Sequence, residues 1–411
     1  MSVDTIQKPT DAVSRAKKKC FESFLAQSLS KEDAELFAKS YETAVHSLPD
    51  PSSYVLDECR GSFLVFVNGV FSEALSDTSK VPSGCTIIAI QKAYRSYSAL
   101  MIAQMQHIAK ECENPFILAN VAAHDEGVCI LLAPNTHHSC PLQIISIVDA
   151  PNCCMAPRVH LFAGKSSSLS LIHTQHVLPA TGALYNLVFD VVQEENSSVL
   201  LESVAFSSHS LAFVESVQAT LKQHSQFQTR SVDIQAPFRR DIRVRLAGQS
   251  ADASCSGLWL SGNDVQTKTL CRMEHHEPHA RSMQHFKGVL AGHARSHFCG
   301  QILVAKKAQK TESYQLNKNL LLNDTAAATV DPNLEIFADD VKASHGATVG
   351  QLEDDALFYL KSRGIAADTA KALLVRGFCK EVVAKLSLAS LQERAYQAIH
   401  KSVYANDKNR N

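Results

Sequence analysis

Short apolar strands recur from about residue 227 to residue 336, and this rhythm constrains the fold more than any other feature of the sequence. Segments such as RDIRVRLAG, ASCSGLWLSG and ARSHFCGQILVAK follow one another, and no helical pattern of ten or more residues interrupts them. A stacked β-solenoid fits this pattern, because each coil would cover the apolar face of its neighbour. A β-sandwich is the competing interpretation. The glycines that we take as turn markers are Gly248, Gly257, Gly262, Gly288, Gly292 and Gly300.

Helical patterns flank the strands on both sides. Apolar residues recur at helical spacing over residues 13–25 and 34–45, and residues 91–112 predict one or two further helices. Shorter apolar runs at 128–132, 142–148 and 158–162 then predict strands. We therefore expect a mainly helical region over residues 1–120, a β core over residues 121–347 and a helical domain over residues 348–411.

The helical domain is predicted to begin at Thr348-Val349-Gly350-Gln351, which matches a capping box. One helix is predicted to end at Gly364, with Leu352, Ala356, Leu357, Leu360 and Arg363 on one face. A second covers residues 369–376 and ends at Gly377, and a third covers residues 382–403.

The composition narrows the class of protein. The net charge of −1 does not call for nucleic acid or an anionic membrane surface as a partner. The 12 cysteines are scattered without a C-x-x-C pair, unlike those of a small disulfide-stapled domain. The N-terminus shows no apolar core of a signal peptide, and no apolar run reaches the ~20 residues of a transmembrane helix. A reducing cytoplasm is the simplest expected compartment.

Two metal-like or nucleotide-like motifs favour plain structural roles. Gly164-Lys165-Ser166 is the second half of a P-loop, but Val159 stands where the opening glycine belongs. The string His275-His276-Glu277-Pro278-His279 offers imidazoles and a carboxylate, yet neighbours on a strand point to opposite faces, so polar stacking at a turn is favoured. Neighbouring strands also carry cysteines, for which buried core is the favoured role: Cys255, Cys271 and Cys299.

The stretch VKASHGATVGQ, residues 341–351, places His345 after an apparent strand and before an apparent helix. Its imidazole is a catalytic group, a metal ligand or a turn residue hydrogen-bonded to a nearby carboxylate such as Asp339 or Asp340. The residue pattern alone leaves these alternatives open.

Three consecutive stretches carry a resemblance to a known family. They are QKTESYQLNKNLLL (residues 309–322), PNLEIFADDVKASHGATVG (332–350) and DALFYLKSRGI (355–365). They closely resemble the SufB/SufD family of iron–sulfur cluster assembly proteins, densely over residues 238–383 and more loosely upstream. The S-H-G-A-T form is similar to the SufD branch of that family.

The resemblance implies a right-handed parallel β-helix between helical N- and C-terminal parts. It also implies a non-catalytic scaffold subunit in a cytoplasmic complex with SufB and the ATPase SufC, without nucleic acid or membrane. SufB would bind at the β-helix end. No cofactor is expected on the subunit alone, but a transient iron–sulfur cluster or iron is expected in the complex. Homodimer formation in isolation and a part in iron acquisition are left open.

The resemblance also assigns roles to residues. His345 would lie at the SufB interface, as a metal ligand shared with SufB, and imidazole is a suitable ligand for iron. Many relatives have cysteine where this chain has Ala343, so that thiolate is missing here. The C-terminal helices would bind SufC, and the candidate residues are Asp355, Phe358, Tyr359 and Arg363. Packing of the two aromatic residues under the β-helix end is the alternative.

A carbohydrate-active β-solenoid enzyme, a lyase or a hydrolase, is the alternative function. Such an enzyme needs acidic or basic residues clustered on adjacent coils, and it usually has a secretion signal. The sequence does not show a secretion signal.

Overall fold

Two stacked sheets of mostly parallel strands form the centre of the protein in a computed structural model that describes residues 12–26, 36, 50–123, 126–178, 182–206 and 211–408. The strands are β1 (Phe63–Val67), β2 (Val70–Asp77), β3 (Cys85–Ala89), β4 (Gly127–Leu132), β5 (Leu142–Val148), β6 (Cys154–Met155), β7 (Arg158–Ala163), β8 (Ser168–Val177), β9 (Leu184–Gln193), β10 (Ser198–Phe206), β11 (Ala212–Leu221), β12 (Gln226–Ile234), β13 (Phe238–Leu246), β14 (Asp252–Ser261), β15 (Gln266–His275), β16 (Arg281–Leu290), β17 (Arg295–Val304), β18 (Thr311–Leu321), β19 (Ala327–Ile336) and β20 (Val341–Gln351). The helices are α1 (Ala12–Leu25), α2 (Ile90–Ser96), α3 (Ser98–Glu111), α4 (Pro115–Ala123), α5 (Asp354–Ser362), α6 (Ala367–Val383) and α7 (Ala389–Lys408).

From β7 onward, successive strands alternate between the two sheets, which makes the core a solenoid. One sheet has the order β2-β1-β5-β8-β10-β12-β14-β16-β18-β20, and the other has the order β19-β17-β15-β13-β11-β9-β7-β4-β3, with β6 beside β9. Within the described ranges, antiparallel pairing is confined to β1 with β2 and β3 with β4. The predicted β-solenoid is confirmed, with about eight turns, and the sandwich alternative is wrong.

The coils share a corner formed by residues in the left-handed conformation. Asn196, His224, Ser250 and His279 all have φ between 56° and 62°. The backbone N–H of His224 donates to the carbonyl of Gln249 in the next coil at 3.0 Å, and the other corner residues repeat this bond. Ser166, the last residue of the half P-loop, has φ 55° and bonds in the same way. That motif is therefore a solenoid corner.

Three of the glycines predicted to mark turns lie inside strands instead: Gly257, Gly288 and Gly300. Each makes room for a large inward side chain. A Cβ on Gly257 would lie 2.7 Å from the Phe286 ring, and one on Gly300 would lie 2.4 Å from Nε2 of Gln315. The turn assignment fails because glycine in a strand can also mark a close approach of side chains.

The N-terminal helices largely match their sequence patterns. The helix predicted over residues 13–25 is α1, and residues 91–112 form α2 and α3, which are separated at Tyr97. The helix predicted over residues 34–45 falls outside the described residues except for Leu36. Strands β1 to β3 also lie before residue 120. Strands β1 and β2 belong to one sheet and β3 belongs to the other. The division into three domains stays a prediction.

The C-terminal helices begin and end at other residues than predicted. The capping box over residues 348–351 is wrong, because these residues continue β20 and pair in register with Lys318 to Leu321 of β18. Helix α5 begins at Asp354 and ends, as predicted, before Gly364, which has φ 83°. Helix α6 runs through Gly377 to Val383, and α7 begins only at Ala389.

Packing explains the continuation of α6 past its glycine. Its residues Val375, Cys379 and Val382 are buried in one apolar cluster with Leu258 and Val289 of the sheet. The free energy gained by this burial outweighs the low helix propensity of the glycine. None of the helices in the described ranges is long and apolar enough to span a membrane.

Candidate functional site

The C-terminal end of the solenoid is open. Strands β19 and β20 are the outermost strands of the two sheets, and no described strand pairs with their free edges. Phe298 and Val304 are fully buried, whereas their partners one coil later in β19, Val330 and Ile336, are half-buried and 37% exposed. An apolar surface next to unpaired strand edges is typical of a protein interface.

His345 lies in the middle of β20, at this open end. It pairs in register with Gln315, whose side chain points into the solenoid, so the imidazole is directed towards the lumen of the last coil. Ala343 and Ala347 occupy the same face of the strand. The side chain of His345 is exposed and makes no hydrogen bond to another described residue. The turn interpretation of His345 is therefore wrong, and so is the expected helix directly after it.

The carboxylates proposed as partners of a turn histidine lie at the preceding corner. The backbone N–H of Asp340 donates to Oε1 of Gln309 at 3.0 Å, and its carbonyl accepts from the N–H of Lys310 at 2.5 Å. These bonds continue the corner ladder of the solenoid.

Sequence reasoning missed the role of Gln315, directly below His345, and that of Gly300 across the lumen from it. Gln315 is only 3% exposed and reaches across the lumen to Gly300 in the opposite sheet. Neither amide atom of Gln315 has a hydrogen-bond partner among the described residues. A glycine inside a strand pattern and an amide at an inward position were the available signals.

Helix α5 presents the candidate SufC-binding residues to solvent. Phe358 and Tyr359 are 71% and 57% exposed, and Asp355 and Arg363 are also exposed. The guanidinium of Arg363 lies 5.2 Å from the centre of the Tyr359 ring. The alternative that the aromatic residues pack under the β-helix end is wrong. Exposed aromatic side chains of this size suit a binding surface.

Polar contacts of the buried Lys287 attach the C-terminal helices to the sheet that ends in β20. Nζ of Lys287 in β16 lies 2.7 Å from Glu381 and donates to the carbonyl of Phe378 at 2.9 Å. Burial and nearby cations lower the pKa of His285, in the same strand, to about 4. Because β16 is two strands from β20, this attachment holds the helices near the open end.

The metal-like string, residues 275–279, has a structural role in the solenoid. Nε2 of His275 lies 2.8 Å from Oγ of Ser282, and burial lowers the pKa of His275 to about 4. Glu277 pairs with Lys307, and His279 is a corner residue.

Of the three cysteines in neighbouring strands, two occupy the buried core role predicted for them and the third does not. Cys255 and Cys271 are buried in the lumen, and Cys299 faces outward. Burial raises the pKa of Cys271. No group of three or more His, Cys, Asp or Glu side chains within the described ranges could hold a metal ion.

Comparison with known proteins identifies the family of this chain. The family model described as SUF system FeS cluster assembly, SufBD core domain, matches residues 146–378. A SufBD family protein of Synechocystis sp. (strain PCC 6803) is 27% identical over 365 residues, which cover 84% of this chain and 79% of that protein. The iron–sulfur cluster assembly protein SufD of Escherichia coli K12 is 34% identical over 164 residues, 40% of this chain and 39% of that protein. The chloroplastic protein ABCI7 of Arabidopsis thaliana is 28% identical over 212 residues, 51% of this chain and 45% of that protein.

The carbohydrate-active alternative rested on the solenoid pattern alone, and the family match replaces it. The matched region includes the coils below the open end, β20 with His345, and most of α6. The chain belongs to the SufBD family of iron–sulfur cluster assembly proteins.

Proposed function

We propose that this chain is the SufD-type subunit of a SUF scaffold, and that it works with SufB and the ATPase SufC in the cytoplasm to assemble iron–sulfur clusters. The subunit itself is non-catalytic in this proposal, and iron and sulfide are its cargo. The main observation behind the proposal is the open end of the solenoid. His345 lies there in the middle of β20, which pairs with β18 along one edge and with no described strand along the other.

The shape of the open end favours SufB as the partner there. A second solenoid of the same family would extend both sheets at once and cover the exposed inward residues, among them Ile336 and Val349. Main-chain hydrogen bonds along β19 and β20 would supply much of the contact. The same end would accept a second copy of this chain when SufB is absent.

His345 then lies inside the interface, where its imidazole is a ligand for iron together with groups of SufB. Ala343, which shares its face of β20, supplies no thiolate. In this chain the thiolate ligands of a nascent cluster would therefore come from SufB.

Helix α5 is the proposed docking element for SufC. Its aromatic pair, Phe358 and Tyr359, would fill a groove of the ATPase, flanked by the charges of Asp355 and Arg363. The ion pair between Lys287 and Glu381 attaches α6, the next helix, to the strands below His345.

Anaerobic co-purification with co-expressed SufB and SufC tests this function. We expect a stable complex that contains iron and acid-labile sulfide. Val349→Glu places a charge on the inward face of the open end, and we expect it to abolish SufB binding. Thr348→Glu is the matched control, because this neighbouring exposed residue faces outward and should leave the complex intact. A chain that binds neither partner, or equal effects of the two variants, would contradict the proposal.

A further inference from the structure

The floor of the open end is the buried carboxamide of Gln315. The side chain of Gln315 lies one coil below His345 and crosses the lumen, so that its Nε2 is 2.4 Å from where a Cβ on Gly300 would be. With glycine there, the amide fits against the backbone of the opposite sheet. Neither amide atom is hydrogen-bonded to any described residue.

The coil above this amide is the last described coil of the solenoid. In the last coil, His345 stands over Gln315, and Pro332 stands over Gly300. A ligand held by the imidazole in the lumen would therefore lie over the amide of Gln315, between His345 of one sheet and Pro332 of the other. No further described coil covers that position.

Other buried amides of the same inward rows have at least one bonded atom each. Nδ2 of Asn319 donates to Oδ1 of Asn317 at 2.5 Å, and Nε2 of Gln284 donates to the carbonyl of Gln301 at 3.0 Å. A buried amide with neither atom bonded is unfavourable, so its place in the lumen indicates a partner that the free chain does not supply.

We propose that Gln315 is a binding residue of the His345 site, and that its amide N–H donates a hydrogen bond to a sulfide or another anionic ligand of iron held by the imidazole. This inference rests on the function proposed above. Hydrogen bonds to cluster sulfurs stabilise and tune iron–sulfur sites, and a neutral amide donates such a bond without adding charge.

The test compares Gln315→Leu with Gln284→Leu in the anaerobically purified complex with SufB and SufC. Gln284 occupies the same inward row one coil deeper, away from His345, and is the matched control. We expect Gln315→Leu to lower iron and sulfide content several-fold while the complex still assembles, and Gln284→Leu to retain wild-type content. Gly300→Ala displaces the amide without removing it, and we expect it to lower the content as well.

Urea unfolding of the free chain separates a binding role from a structural one. Because no described residue is hydrogen-bonded to the Gln315 amide, we expect the unfolding midpoint of Gln315→Leu to equal or exceed that of the wild type. Wild-type iron and sulfide content in Gln315→Leu would overturn the proposal, and so would a lower midpoint with equal losses in both leucine variants. If the wild-type complex itself held no iron or sulfide, the proposed function would fail first, and this inference with it.

Discussion

Arg240 is the central cation of a charged network buried inside the solenoid, and its removal should be strongly destabilising. Its Nε lies 2.7 Å from Glu215, and its Nη1 lies 2.5 Å from Asp233. All three side chains are at most 2% exposed. Glu215 also accepts a hydrogen bond from Ser203 at 2.6 Å.

Arg240→Met leaves two carboxylates buried without their cation. Breaking a buried ion pair from one side costs about 3–5 kcal/mol, and the low exposure of this network places the expected loss in that range. Urea unfolding at pH 7, followed by circular dichroism, measures the loss. The triple variant Arg240→Met, Glu215→Met, Asp233→Leu replaces all three charged side chains by apolar ones of similar volume, and we expect it to recover most of the stability.

The pH dependence of unfolding distinguishes this explanation from simple loss of packing. Burial alone would raise the pKa of Glu215, but Arg240 with its other partners lowers it to about 2. In the wild type, this group contributes stability above its ordinary pKa of 4.5, and the contribution is lost as the pH falls towards 2. Burial outweighs Arg240 at Asp233 and raises its pKa, so stability from Asp233 is lost as the pH rises.

Without Arg240, burial should raise the pKa of Glu215 as well. The variant then loses stability as the pH rises through that raised value. We therefore expect acidification from pH 7 to pH 5 to restore part of the loss in Arg240→Met but not to stabilise the wild type through Glu215. If Arg240→Met lost less than about 1 kcal/mol of unfolding free energy, with no change with pH, this explanation would be wrong, because an exposed ion pair contributes that little.

Two further variants test the docking helix and a buried histidine. Replacing both Phe358 and Tyr359 by alanine should change the free energy of unfolding by no more than about 0.5 kcal/mol, because both are exposed, yet SufC should no longer be captured in a pull-down. Normal capture by the folded variant would assign SufC binding to another surface. The depressed pKa of His275, about 4, means that it contributes stability above its ordinary pKa of 6.5, which is lost as the pH falls from there towards 4. His275→Asn should therefore weaken the fall of the unfolding midpoint between pH 7 and pH 5, and an unchanged fall would show that other groups cause it.

The solenoid could be predicted because its physical cause is local and repeated. Each coil repeats an inward apolar row, and the turns fall at similar intervals, so patterning alone indicates stacking. The left-handed corner residues are less predictable, because asparagine, histidine and serine occupy them as well as glycine. Gly257, Gly288 and Gly300 were wrongly predicted to mark turns, because the sequence does not show which large side chain of another strand packs against a glycine.

The candidate site was predicted only in part. The resemblance singled out His345, but residues 348–351 also matched a local capping signal, and pairing with β18 overrode it. His345 is consequently a mid-strand residue at an open edge and not a turn residue. Gln315 escaped notice because its significance depends on the coil above it and on Gly300 across the lumen, neither of which is adjacent in sequence.

His345→Ala in the intact complex with SufB and SufC tests the central claim most directly. The measurement is the iron and acid-labile sulfide content of the anaerobically purified complex, relative to wild type. Because one exposed side chain is a small part of the interface, we expect the complex still to assemble while its cluster content falls sharply. Assembled complex and cluster content both at wild-type levels would contradict it and leave His345 as an ordinary residue of the edge strand.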